Sequence, residues 1–170
     1  VGTDLSAAEG VHFTMADRWI QSRLQQVAAE VESAFAGYRF DLAAQAVYRF
    51  VWDEYCSWYL ELSKRQLAAD ASAAHQRGTR STLVHVLEQS LCLLHPIMPF
   101  ITEEIWQRVN PLVAPLTAAA NHRATTGTFD SVMVAPYPAA TGYASDAVAE
   151  NEVTWMKQFI LAVRQIRGEM

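Results

Sequence analysis

Between Tyr48 and Tyr59 the chain carries six aromatic rings: Tyr48, Phe50, Trp52, Tyr55, Trp58 and Tyr59. At helical spacing these rings and their neighbours form two adjoining apolar stripes. One is Val47, Val51, Trp58 and Leu62; the other is Tyr48, Trp52, Tyr55 and Tyr59. A helix apolar over most of its circumference must be enclosed by other elements. The segment of about 41–69 therefore demands a place in the middle of a bundle. Its inner faces are Val47, Val51, Tyr55 and Leu62, and its polar remainder includes Asp53, Glu54, Glu61 and Lys64.

The rest of the chain supplies the enclosing helices. Thr14 and Asp17, three residues apart, form a capping box that opens a helix of about 14–35 with Ile20, Leu24, Val27, Val31 and Phe35 on one face. Gly37 ends it. A third helix, about 79–95, turns Leu83, Leu87, Leu91 and Leu94 inward. Pro96 and Pro99 stop it and start a fourth, about 100–109. Residues 110–131 are rich in Pro, Ala, Thr and Asn and read as a loop. Ser131 to Val134 reads as a short strand within 131–135, and Pro136-Tyr137-Pro138 as extended chain. A last helix, about 145–168, places Val148, Trp155, Phe159, Ala162, Val163 and Ile166 on one broad face. The fold class is all-α, an antiparallel bundle of four to five helices. A lead-in segment (1–13) precedes the bundle (14–110); a loop and extended segment (111–144) and a C-terminal helix (145–170) follow.

Bulk properties narrow the classes further. With 51% hydrophobic and 18% charged residues the chain is globular. No apolar run approaches the roughly 20 residues a membrane-spanning helix needs. Val1 is neither an initiator Met nor the start of a signal peptide, and the last helix stops without a cap. Both ends read as cuts in a longer protein, the C-terminal helix being truncated. Cys56 and Cys92 lie 36 residues apart inside apolar helical patterns, as buried reduced thiols of a cytoplasmic protein do. The net charge of −5 runs against the basic surface usual in nucleic-acid binders. It fits a domain that reads a few bases while a larger partner holds the phosphates.

Catalytic chemistry finds no support. There is no Gly-rich phosphate loop and no H-E-x-x-H. His12, His75, His85, His95 and His122 lack metal-ligand spacing. Glu103-Glu104 and Asp53-Glu54 are neighbours on a helix, about 100° apart, so neither pair converges on one substrate. No catalytic residue, cofactor or metal is expected in this segment. Aromatic rings at the edge of the bundle suit another task, stacking on unpaired bases, which contributes roughly 1–3 kcal/mol per base. Arg18, Arg23, Arg39 and Arg49 can reach phosphates or base edges beside them.

Four strings in a fixed order carry a resemblance. Ala16-Asp17-Arg18-Trp19-Ile20-Gln21-Ser22-Arg23-Leu24 resembles the opening of the anticodon-binding domain of class I aminoacyl-tRNA synthetases. Tyr38-Arg39-Phe40-Asp41 and the run from Phe50 to Lys64 are similar to the valyl-tRNA synthetase version. Leu94-His95-Pro96-Ile97-Met98-Pro99-Phe100-Ile101-Thr102-Glu103-Glu104-Ile105-Trp106 resembles that family's junction between third and fourth helices. Val132 to Pro138 and Ile166 to Met170 match later segments more loosely, and residues 110–131 match nothing in the family.

The resemblance implies a parent enzyme that joins valine to its tRNA with ATP and magnesium, in the cytoplasm and as a monomer. The H-x-G-H and K-M-S-K-S strings of its catalytic part are absent here. The partners implied are the anticodon loop of a valine-accepting tRNA and the catalytic domain of the same chain; no membrane is involved. By the same resemblance Arg23 stands where related enzymes place an anticodon-contacting arginine. Trp58 stands where a related subfamily sets a tryptophan against the anticodon, and core packing is its other reading. Trp19, one turn before Arg23, shares that surface. Phe40 is a stacking platform with Arg39 beside it, and Lys64 meets a phosphate or complements its helix end. The alternatives are a helical protein-interaction module and the equivalent domain of an isoleucyl- or leucyl-tRNA synthetase.

Overall fold

The computed structural model describes residues 10–119, 129–139 and 145–168. Residues 1–9 of the lead-in, 120–128 and 140–144 of the loop segment, and 169–170 lie outside the described residues. The chain is all-α, as expected, and no strand occurs among the described residues.

Helix α1 (Met15–Ala36) starts on the expected capping box. Thr14 Oγ1 accepts the Asp17 N–H at 3.2 Å, and Asp17 Oδ2 accepts the Thr14 N–H at 2.8 Å. The same carboxylate reaches further. It is fully buried, the Tyr59 hydroxyl donates to Oδ1 at 2.6 Å, and the Thr79 hydroxyl donates to Oδ2 at 3.1 Å. A helix cap has become the knot that ties three segments of the bundle together.

The other end of α1 departs from expectation in one respect. Gly37 occupies the cap position, but its φ is −87°. The residue in left-handed conformation is Tyr38, at φ 55°. Its N–H donates to Phe35 O at 3.0 Å and that of Arg39 to Ala34 O at 2.8 Å. These are the two bonds of a Schellman motif, in which glycine is the usual left-handed residue.

The aromatic segment is a continuous helix in three parts: α2 (Phe40–Arg49), a π-helical stretch (Phe50–Tyr59) and α3 (Leu60–Gln66). In the middle part backbone bonds skip five residues, as from Leu60 N–H to Tyr55 O, and the Ser57 hydroxyl donates to Trp52 O five back at 2.8 Å. The wider turn changes which rings face inward. Phe50, Tyr55 and Tyr59 are buried with Val47, while Val51 and Trp58 pack at the edge of the core. Tyr48 and Trp52, expected on the Tyr55–Tyr59 stripe, lie on the solvent side and stack on each other, 6.4 Å apart.

Helix α4 (Ala73–Leu94) begins earlier than the expected 79. Alanine's high helix propensity lets Ala73 and Ala74 open the helix ahead of the expected start. Its Gly78 lies against the lead-in, where an added Cβ would sit 2.2 Å from His12 O. Helix α5 (Pro99–Ala119) runs well past the expected 109. The Leu- and Ala-rich sequence carries the helix through Pro111 and Pro115, each forgoing one backbone donor. The expected strand at 131–135 is a 3-10 turn (Val132–Val134) capped by the Ser131 hydroxyl. Glu103 Oε2 takes hydrogen bonds from Ser131 Oγ at 2.9 Å and Val132 N at 3.1 Å. Val132 is thereby pinned onto Leu91, Cys92 and Trp106 in a small second core. Glu103 thus has a structural task, and this turn uses its polar groups locally instead of pairing with another segment.

Helix α6 (Ala147–Gly168) lies along α1. Asp146 pairs with Arg18 at 3.1 Å and accepts the Ala149 N–H as a cap. Glu150 takes hydrogen bonds from Ser22 and, at 2.8 Å, from Gln26. The buried contacts of α6 are Ala149 and Val153, with Met156 packed beside them. The broad apolar face read from the sequence, with Val148, Trp155, Phe159, Val163 and Ile166, is exposed.

Candidate functional site

The six residues singled out from the sequence fall in three separate places. Arg39 and Phe40 stand together at the corner between α1 and α2. Trp19, Arg23 and Trp58 gather where α1, the π-helical stretch and α6 meet. Lys64 lies in α3, roughly 36 Å from Phe40 along the same continuous helix at 1.5 Å per residue.

The corner is open to solvent. Its approach is set by the left-handed Tyr38, whose ring is 82% exposed. The Phe40 ring is 54% exposed; its other side rests on Phe35, 5.6 Å away, which in turn meets Tyr137 edge-on at 6.2 Å. One side of the Phe40 ring is thus supported and the other is open to solvent. Arg39 grips Asp41 in two hydrogen bonds of 2.9 and 2.8 Å. That hydrogen bonding pulls the Asp41 carboxyl down to about 2. Both side chains are more than half exposed, so the pair is held weakly. A groove lined by Glu30, Ser33, Arg39, Leu42, Ala46 and Arg49 runs down one side. Arg49 makes no ion pair among the described residues. On the other side a second groove passes Phe35, Pro96, Tyr137 and Pro138.

The second cluster is closed. Trp19 does not share a surface with Arg23: its ring is 2% exposed, because α6 lies over it. Lys157 Nζ sits 4.4 Å from the centre of the Trp19 ring and 5.4 Å from that of Trp58, and Arg164 stands over Trp58 at 5.9 Å. Burial pulls the Lys157 ammonium below its usual pKa. Trp58 is half-buried at the edge of the core beneath these two cations. Arg23 makes a bidentate pair with Glu54, at 2.8 and 2.9 Å, and also donates to Gln26. The pair is largely shielded from solvent, and its hydrogen bonds raise the Arg23 pKa. Reaching RNA would cost Arg23 that partner and leave a half-buried Glu54 unpaired.

Lys64 is exposed and bound to Glu61 at 2.6 Å. Cys56 and Cys92 are both free thiols, and no metal-binding cluster of His, Cys, Asp or Glu occurs among the described residues. No helix among them is long and apolar enough to cross a membrane. Lys157 and Arg164 carried no signal in the sequence, being placed by packing between helices far apart in the chain, and Tyr38 stood in a matching string without any sign of its left-handed turn.

The Arg39–Phe40 corner is exposed on an all-α bundle, and comparisons with known proteins place the chain in a family. The family described as the anticodon-binding domain of tRNA ligase matches residues 17–170. The chain belongs to this family of anticodon-binding domains. It is 49% identical over 160 residues to a protein named valine–tRNA ligase from Dechloromonas aromatica, and equally to one of that name from Laribacter hongkongensis. Each match covers 94% of this chain but 16% of the relative. The anticodon-binding domain thus spans about one sixth of the length of these ligases.

Proposed function

We propose that this anticodon-binding domain belongs to a valine–tRNA ligase and grips the anticodon loop of a valine-accepting tRNA, without taking part in the chemistry. The identity of 49% to two valine–tRNA ligases across nearly the whole chain carries the valine assignment. The parent enzyme would activate valine with ATP and magnesium in domains outside residues 1–170, as a cytoplasmic protein.

The contact surface we assign is the Arg39–Phe40 corner. An unpaired base stacks on Phe40, and the Arg39 guanidinium leaves Asp41 for a phosphate or a base edge. Arg49 in the adjoining groove meets the next phosphate. Trp58 and Lys64 are secondary contacts, at the rim of the closed cluster and at the far helix end. Arg23 acts through its hold on Glu54, which sets α1 against the π-helical stretch. Trp19 supports Lys157 from below.

The test uses the intact ligase. Its affinity for valine tRNA is compared with that for the same tRNA carrying a swapped anticodon, in the native enzyme and in Arg39→Ala, Phe40→Ala and Arg23→Ala variants. Loss of discrimination in the first two supports the corner. Undiminished discrimination in both removes it, and an intact ligase indifferent to the anticodon removes the function.

A further inference from the structure

The face of α6 turned away from the bundle is a row of large apolar side chains at helical spacing: Val148, Trp155, Phe159, Val163 and Ile166. Trp155 is 68% exposed, and its ring lies parallel to that of Phe159, 5.8 Å away. Glu152 is the one charged residue within the row. The helix cannot roll to bury this row. Ala149 and Val153 are fully buried on its inner side, Glu150 is tied to Ser22 and Gln26, and Lys157 is seated over Trp19 and Trp58. An apolar stripe held outward on a rigidly anchored helix is a surface for a partner.

The chemistry of the stripe selects among partners. A surface for RNA needs cations to meet phosphates; of the three cations of α6, Lys157 and Arg164 stand over Trp58 on a different side of the helix, and Arg167 alone borders the stripe, in the last turn. Residues four and three apart along the stripe (Trp155, Phe159, Ala162, Ile166) match the seam that a second helix fills. About five sixths of each related ligase lies beyond the part matched by this chain, so apolar protein surface of the same polypeptide is at hand.

We infer that the outer face of α6 is an intramolecular docking surface, covered in the intact ligase by an apolar segment of the same polypeptide outside residues 1–170. The inference rests on the reading of this chain as one domain of a longer ligase. The experiment places a photo-crosslinking residue in the intact ligase, as Phe159→p-benzoylphenylalanine, and maps the crosslinked peptides without tRNA. Crosslinks within one polypeptide to residues outside 1–170 are expected. Hydroxyl-radical footprinting of the unmodified enzyme reads the same contact. Trp155 should then react several-fold more slowly than Trp52, which is similarly exposed in this domain at 60%. Equal reactivity of the two rings overturns the inference. So do crosslinks only within 1–170, protection that appears only when tRNA is added, or protection that fades on dilution as a contact between two copies would. Neither readout involves the anticodon, so a failed crosslink leaves the tRNA reading standing, and a failed tRNA test leaves the docking surface standing.

Discussion

The two ends of α1 are built from similar materials and do opposite work. At the start, Asp17 is fully buried and receives hydrogen bonds from Thr14, Tyr59 and Thr79. Just past the end, Arg39 is also satisfied, by Asp41, yet both lie in solvent. A buried charge cannot change partners without leaving donors stranded in a low-dielectric interior. An exposed pair gives up little when one member turns to something else. Burial, not the number of hydrogen bonds, separates the end that holds the fold from the end left free to exchange partners.

The sharpest way to break this contrast is at Asp17. Asp17→Ala removes the cap and strands the Tyr59 and Thr79 hydroxyls, and should cost about 3–5 kcal/mol in urea denaturation. A loss similar to that of an exposed residue would mean the knot is not buried in solution. At the same end Gly78→Ala must push the lead-in off α4, because the new methyl would meet His12 O at 2.2 Å. A loss of about 1–3 kcal/mol is expected, read the same way.

At the other end the effects should move from stability to binding. Phe40→Ala and Arg39→Ala should each shift unfolding by no more than about 0.5 kcal/mol. Loss of the stacking platform should weaken tRNA binding to the intact ligase by roughly tenfold to a hundredfold, corresponding to about 1–3 kcal/mol. Tyr38→Gly should stabilise the domain by about 1 kcal/mol, seen as a higher Tm, because glycine adopts the left-handed turn without penalty.

The smallest expected effect is that of pH. The Asp41 carboxyl is lowered from 3.8 to about 2, first by its hydrogen bond from Arg39. A lowered carboxyl favours the folded pair above its unfolded pKa and loses that advantage only as pH falls through the folded one. Between about pH 8 and about pH 5 the pair therefore stays charged. A tRNA affinity measured across that window should show no titration that Asp41→Asn removes.

How much of this could be read from residues alone depends on how local the cause is. The Thr14–Asp17 cap is a four-residue event and is legible as such; that the same carboxylate meets Tyr59 and Thr79 is not, since those lie 42 and 62 residues away. The aromatic run is legible as helix, but its inward rings are not: backbone bonds skipping five residues move Phe50 inward and Trp52 outward. Periodicity shows that α6 owns an apolar stripe without saying whether the bundle covers it. Among the site residues, Arg39 and Phe40 lie in the open, whereas Trp19 and Arg23 are covered, because α6 and Glu54 reach them from distant parts of the chain. The run through Pro111 and Pro115 defeats a composition argument, since breakers alone suggest a loop there.

Tyr38 carries a last consequence. A side chain held left-handed by two backbone bonds leaves the corner one shape to adopt, so the ordering entropy of Arg39 and Phe40 is spent during folding. On the proposed reading, an anticodon loop arriving there would not wait for the protein to rearrange. Its rate of capture is governed by diffusion, by orientation and by how readily its own bases turn outward.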